Sequence, residues 1–216
     1  MVVKSLVSLG QKMLSVEKSK FCLMGEGFMG KVIMYLVSGK AEAGKDTFYQ
    51  RAQQLYPNIP CVRFALGDEV KEIATLLTWD GKKDERGRTL LQWLGDGARQ
   101  YNYDVWIERA KTRLEGIIEN LKDSNDVSMV FMTDCRYPNE VKKIGGFAES
   151  LGCAVVTIRV VRPGHVSRLS EEQLKNTSET ALDNYLFDYQ VTNKGDSTYT
   201  SLVGTVINEI LEGVLK

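Results

Sequence analysis

The segment Val32 to Ser38 (VIMYLVS) carries no charge and runs straight into Gly39-Lys-Ala-Glu-Ala-Gly44-Lys45. A short apolar run without polar alternation suits a strand buried on both faces of a parallel sheet, since neither face is reserved for water. Such a strand needs helices on both sides. Comparable runs occur at Cys61 to Ala65, Val127 to Met132, Ala154 to Val161 and, more weakly, Tyr189 to Thr192, mostly with helix-length segments between them. The alternation predicts an α/β fold, a five-stranded parallel sheet in three αβα layers.

The glycines and lysine after the first strand keep the Walker A spacing, between a buried strand and a helix expected near Lys45. Glycines let successive backbone N–H groups turn inward around a phosphate, and the helix N-terminus adds its dipole. Gly39, Lys40, Ala43, Gly44, Lys45, Asp46 and Thr47 are therefore the candidate phosphate-binding residues, with Lys45 reaching the β- and γ-phosphates of a nucleotide. Asp46 stands where a Ser or Thr hydroxyl would usually meet Mg²⁺, and Thr47 follows. The plain alternative is a glycine-rich turn that only joins strand to helix.

Two other patterns compete. Gly25-Glu-Gly27-Phe-Met-Gly30 matches a dinucleotide fingerprint in letters, but a strand follows it where a helix is required. Asn193-Lys194-Gly195-Asp196 matches the guanine-reading tetrapeptide of GTPases. Those switches also need Asp-x-x-Gly after an earlier strand, and Tyr137 stands at the glycine position after Asp134. A turn is the preferred reading there.

Composition narrows the chemistry. Lys plus Arg and Asp plus Glu both count 28, so no overall cationic field draws nucleic acid or an anionic membrane. The four cysteines, Cys22, Cys61, Cys135 and Cys153, include no Cys-x-x-Cys pair and read as buried reduced thiols. His165 is the only histidine, which argues against His-based zinc sites and most His-activated nucleophiles. Residues 1–31 are too interrupted by charge for a membrane span or secretory core, so a cytoplasmic location is expected. That extension has no evident place in the sheet, and an appended helix or a translated leader preceding Met34 would account for it.

Between the second and third strands, residues 66–123 hold three helical patterns, at about Asp68 to Thr78, Arg88 to Tyr101 and Asp104 to Leu121. This exceeds a simple crossover and makes room for an acceptor. Arg86, Arg88, Gln92, Arg99 and Arg109 there bracket Trp93, Tyr101, Tyr103 and Trp106, a mix that could clamp a monophosphate and stack a base. At the carboxyl edge of the third strand, Asp134 could hold Mg²⁺ and Arg136 could neutralise the transferred group; a structural ion pair is the alternative. Residues 162–180 read as a lid opening with Pro163-Gly164, with Arg162 the preferred phosphate contact over Arg159 and Arg168. Near its end, Glu179 is a candidate substrate contact, while Thr177 or Ser178 could equally be a helix cap.

These residues resemble the deoxynucleoside monophosphate kinases of tailed bacteriophages, relatives of adenylate and guanylate kinases. The likeness covers most of the chain after Met34. It rests on Gly39 to Thr47 with its Gly-Lys-Asp-Thr ending, on Leu90 to Gly95 leading to Asp104 to Arg109, on Thr133 to Glu140, and on Ser178-Glu179. Asp46 is usual in that family, whereas Asn176 stands where a histidine is expected. The resemblance implies γ-phosphoryl transfer from ATP, with Mg²⁺, to a deoxynucleoside monophosphate, giving the diphosphate and ADP for DNA synthesis. In that reading Lys45, Arg136 and Arg162 are catalytic and Arg86, Arg88, Gln92, Trp93, Arg99, Asp134 and Glu179 bind the acceptor. Asp46 and Asp134 are the metal candidates. The resemblance also implies homodimers as a common state and, if the chain is phage-encoded, a location in host cytoplasm, while the balanced charge and absent apolar span predict no nucleic-acid or membrane partner. A kinase for another small acceptor, of the phosphomevalonate or dephospho-coenzyme A type, and a non-catalytic nucleotide switch are the alternatives.

A chain beginning near Lys31 is expected to fold and keep its activity. Circular dichroism and a kinase assay check this, and unfolding or lost turnover refutes it.

Overall fold

The computed structural model describes residues 4–6, 15–17, 32–122 and 126–215. At the amino end, β1 (Lys4–Leu6) and β2 (Ser15–Glu17) pair antiparallel as a separate two-stranded sheet, so an appended helix is not what these six residues form. The rest of 1–31, including Cys22 and the Gly25 to Gly30 pattern, lies outside the described residues.

From there the chain alternates. β3 (Val32–Ser38) leads into α1 (Lys45–Leu55) and β4 (Cys61–Phe64). Three helices follow, α2 (Gly67–Leu76), α3 (Glu85–Tyr101) and α4 (Val105–Lys122), before β5 (Ser128–Cys135) and α5 (Pro138–Ser150). β6 (Ala154–Val161), the short helices α6 (Glu171–Lys175) and α7 (Thr177–Thr180), β7 (Tyr189–Thr192) and α8 (Thr198–Val214) complete it.

The five long-chain strands lie in the order β4-β5-β3-β6-β7, and every neighbouring pair is parallel, as expected. All seven residues of β3 are buried. Their alternation divides the core: Ile33, Tyr35 and Val37 pack with α1 and α8, while Val32, Met34 and Leu36 pack with α4 and α5. Each fully buried apolar side chain contributes roughly 1.5–3 kcal/mol, so β3 alone anchors both helical layers. Cys135 and Cys153 are buried free thiols and Cys61 is partly exposed.

Local chemistry sets the element ends. α3 starts at Glu85 rather than Arg88 because the Asp84 side chain caps it, accepting the Gly87 N–H at 2.8 Å. β5 runs three residues past Met132, and the β3–β5 register slips between Leu36 and Ser38 so that Ser38 faces Cys135. That slip lies where β3 leaves the sheet. β3 is also where strand order reverses, with β5 on one side and β6 on the other, and such a switch point opens a crevice at the carboxyl ends of the strands. Among the described residues no helix is long and apolar enough to cross a membrane.

Phe131 is the hub of the α1 face. Its ring stacks on Tyr35 at 4.5 Å and takes the edge of Tyr49 at 5.6 Å. Phe131→Ala is expected to cost about 3–5 kcal/mol in urea unfolding, and a loss below about 1 kcal/mol would contradict this packing.

Candidate active site

The loop after β3 is shaped by bonds to its carbonyls. Lys45 Nζ donates to the carbonyls of Gly39 (2.8 Å) and Lys40 (2.9 Å). From the other side, Asn193 Nδ2 donates to Ala43 O at 2.9 Å and the Tyr199 hydroxyl to Gly44 O at 2.9 Å. With these oxygens occupied, the first-turn amides of α1, which have no intrahelical acceptor, are left for an anion. Gly44 is required twice over: its φ is +103°, and a Cβ there would lie 2.3 Å from Asn193 Nδ2. Lys45 is only 9% exposed, and burial together with the charge of Arg136 lowers its pKa to about 8.

Asn193 is 6% exposed and belongs to the tetrapeptide that matches a guanine-reading motif. Here it forms a turn, its Oδ1 accepting the Gly195 N–H at 2.9 Å with Gly195 at φ +79°. Asp196 Oδ1 accepts the Thr198 N–H at the start of α8. The turn braces the phosphate loop, a role that spacing alone could not reveal.

At the carboxyl end of β5, Asp134 accepts the N–H groups of Leu66 (3.0 Å) and Gly67 (2.6 Å) and so fixes the start of α2. Arg136 pairs with the buried Glu179, whose other oxygen accepts the Ala41 N–H of the phosphate loop at 2.8 Å. The structure thus joins the glycine loop, the end of β5 and α7 through Glu179. The cap of α7 is neither Thr177 nor Ser178: Asn176 Oδ1 accepts the Ser178 N–H at 2.8 Å, and Asn176 Nδ2 reaches Asp96 at 3.0 Å.

Asp46 Oδ1 accepts from Thr133 Oγ1 at 2.8 Å and Arg63 Nε at 3.1 Å. Burial pushes its carboxyl up, but these two donors and the nearby cations hold it below the usual value. No group of three or more His, Cys, Asp or Glu side chains suited to a metal occurs among the described residues. Mg²⁺ in phosphoryl-transfer sites keeps water and phosphate oxygens as most of its shell, so one carboxylate is enough. Asp46 fits that part better than Asp134, both of whose oxygens already hold amides.

Two cavities meet at this loop. One, of about 380 Å³, lies between Gly44 to Thr47, Arg51, Arg162 and the segment from Asn193 to Thr200. The other, of about 460 Å³, is lined by the loop, the α2 start, α3, Trp106, Thr133, Asp134, Arg136 and Ser178-Glu179. Glu42, Lys45 and Asp46 line both.

Helix phase sorts the acceptor candidates. Arg88, Leu91, Gln92, Gly95, Asp96 and Arg99 recur at three- and four-residue spacing and face the second cavity. Arg86 and Trp93, seven residues apart, share another face of α3 and do not line it; Trp93 is 69% exposed. Arg99 is held by Glu140 at 3.0 Å and lies over the Tyr137 ring at 4.3 Å. Lys71, Lys83 and Arg63 also line this cavity, and no sequence pattern singled them out. Arg162 extends from the end of β6 and donates to Glu42 O at 3.3 Å.

No family model and no curated protein matches the chain. Among solved structures it is similar to the APS kinase of Mycobacterium tuberculosis in complex with AMPPNP and APS, at 10% identity over 83% of this chain and 98% of that one, TM-score 0.45. TT1252 from Thermus thermophilus matches at 17% identity over 84% and 97%, TM-score 0.45. The shikimate kinase of Bacteroides thetaiotaomicron matches at 17% identity over 83% and 98%, TM-score 0.38. At these scores the likeness carries no functional argument. The α/β class stands on this chain's own sheet, and the shape of the glycine loop on its own hydrogen bonds.

Because the free Lys45 ammonium titrates near 8, a bound phosphate that stabilises its charge must take up a proton above that pH. ATP affinity, measured by calorimetry, is expected to be flat below about pH 8 and to fall about tenfold per unit above it. A flat profile to pH 9.5 would remove Lys45 from the phosphate site.

Proposed function

We propose that this chain is an ATP-dependent kinase whose acceptor is a deoxynucleoside monophosphate. The observation that carries this reading is the meeting of two cavities at the buried Lys45, one along the phosphate loop and α8, the other under the helical insertion. A transferase for two phosphorylated substrates needs this layout, since donor and acceptor must approach from opposite sides of the group that moves.

ATP would lie in the first cavity with its phosphates on the loop amides and Lys45. The acceptor would lie in the second, its phosphate toward Arg88 and Arg136 and its base among Leu66, Val70, Gln92 and Trp106. A monophosphate already presents an oxygen nucleophile, so transfer needs positioning and charge stabilisation rather than a strong base. Asp46 is the residue that would hold Mg²⁺, which when bound offsets charge on the phosphates. Arg136 and Arg162 would stabilise charge on the moving group, and the lid from Arg162 to Thr180 would exclude water.

ADP release measured with each deoxynucleoside monophosphate tests the reading, and turnover with at least one is expected. Lys45→Ala should lower kcat/KM by about 10²–10³-fold or more. Absence of turnover with all of them, together with turnover on a phosphorylated non-nucleotide acceptor, would reassign the substrate.

A further inference from the structure

Glu42 sits at the crest of the phosphate loop with φ +61°, a conformation that strains a residue bearing a side chain and persists only where its surroundings hold it. What holds it comes from outside the loop. Its carboxylate accepts from Arg88 of the helical insertion at 3.1 Å and from the Arg168 N–H of the lid at 3.2 Å, and lies 3.1 Å from His165 Nε2. Its carbonyl accepts from Arg162 at the start of the lid. Burial raises the Glu42 pKa, but the His165 and Arg168 hydrogen bonds and the Arg88 charge outweigh it and keep the group ionised. Glu42 is also one of three residues lining both cavities.

We propose that Glu42 is a positioning residue that couples the donor and acceptor cavities by tying the lid and the Arg88 guanidinium to the phosphate loop. The proposal rests on the two-substrate reading above. Arg88 and Arg162 are the kind of groups that bind phosphate, and charge-assisted bonds at a partly buried carboxylate are stronger than those at an open surface. A phosphate arriving in either cavity competes with Glu42 for its arginine and changes the hold on the lid. Linkage then requires that each ligand alter the affinity of the other by the same factor.

Two variants separate this role from folding. Glu42→Gln keeps the size and removes the charge, while Glu42→Gly removes the carboxylate's ties to Arg88, His165 and Arg168, leaves the carbonyl's tie to Arg162 and relieves the positive φ, so its thermal midpoint should not fall. In the ligand-free protein, amide exchange of residues 162–170 is expected to speed up by about fivefold or more in both variants, as for a coupling of ordinary size. Unchanged exchange in both overturns the proposal. In a second arm, the affinity for AMPPNP is measured with and without the monophosphate. A coupling of about fivefold or more in the wild type should vanish in both variants, and its persistence overturns the proposal. If the wild type binds no monophosphate, the acceptor reading fails, and the exchange arm alone decides the role of Glu42.

Discussion

The site depends on the double burial of β3. A strand with no residue exposed cannot sit at a sheet edge or face water, so it takes the centre and recruits α1 and α8 on one face and α4 and α5 on the other. With β3 central and its neighbours leaving in opposite directions, the connection at its carboxyl end emerges into a crevice. The glycine loop is placed by that constraint before any of its own contacts form.

Within the crevice, charged side chains hold backbone as well as line the cavities. Asp134 fixes the start of α2, Glu140 accepts the amides of Arg136 and Tyr137, and Glu179 accepts the amide of Ala41 while pairing with Arg136. Glu140 is 2% exposed, and that burial raises its pKa against the opposing pull of Arg99. A partner-rich buried carboxylate is worth keeping because leaving its amides unsatisfied costs about 1–3 kcal/mol each. The result is a set of guanidinium groups and amides already oriented at the crevice.

The strands were readable because each is short, apolar and bounded by turn residues, and the five expected runs coincide with β3 to β7 to within a few residues. The position of the glycine loop between a strand and a helix was equally readable, since spacing and a flanking strand are local properties. Less readable was which half of a mixed helix faces inward: Arg86 and Trp93 have the same chemistry as Arg88 and Gln92 but point elsewhere by helix phase. Asn193 was visible as a motif but not as a brace, because its partner Ala43 lies 150 residues away.

By itself, then, the sequence determined the α/β class, the central strand and the glycine loop that follows it, all of which follow from patterns within about ten residues. Only the tertiary structure decided that Asn193 and Tyr199 shape the loop from behind, that Asn176 rather than Ser178 caps α7, and that Glu42 gathers Arg168 and Arg88 of α3. Those roles belong to contacts between segments far apart in the chain. No local spacing encodes such a contact, because it exists only once β3 and its flanking helices have brought the segments to one edge of the sheet.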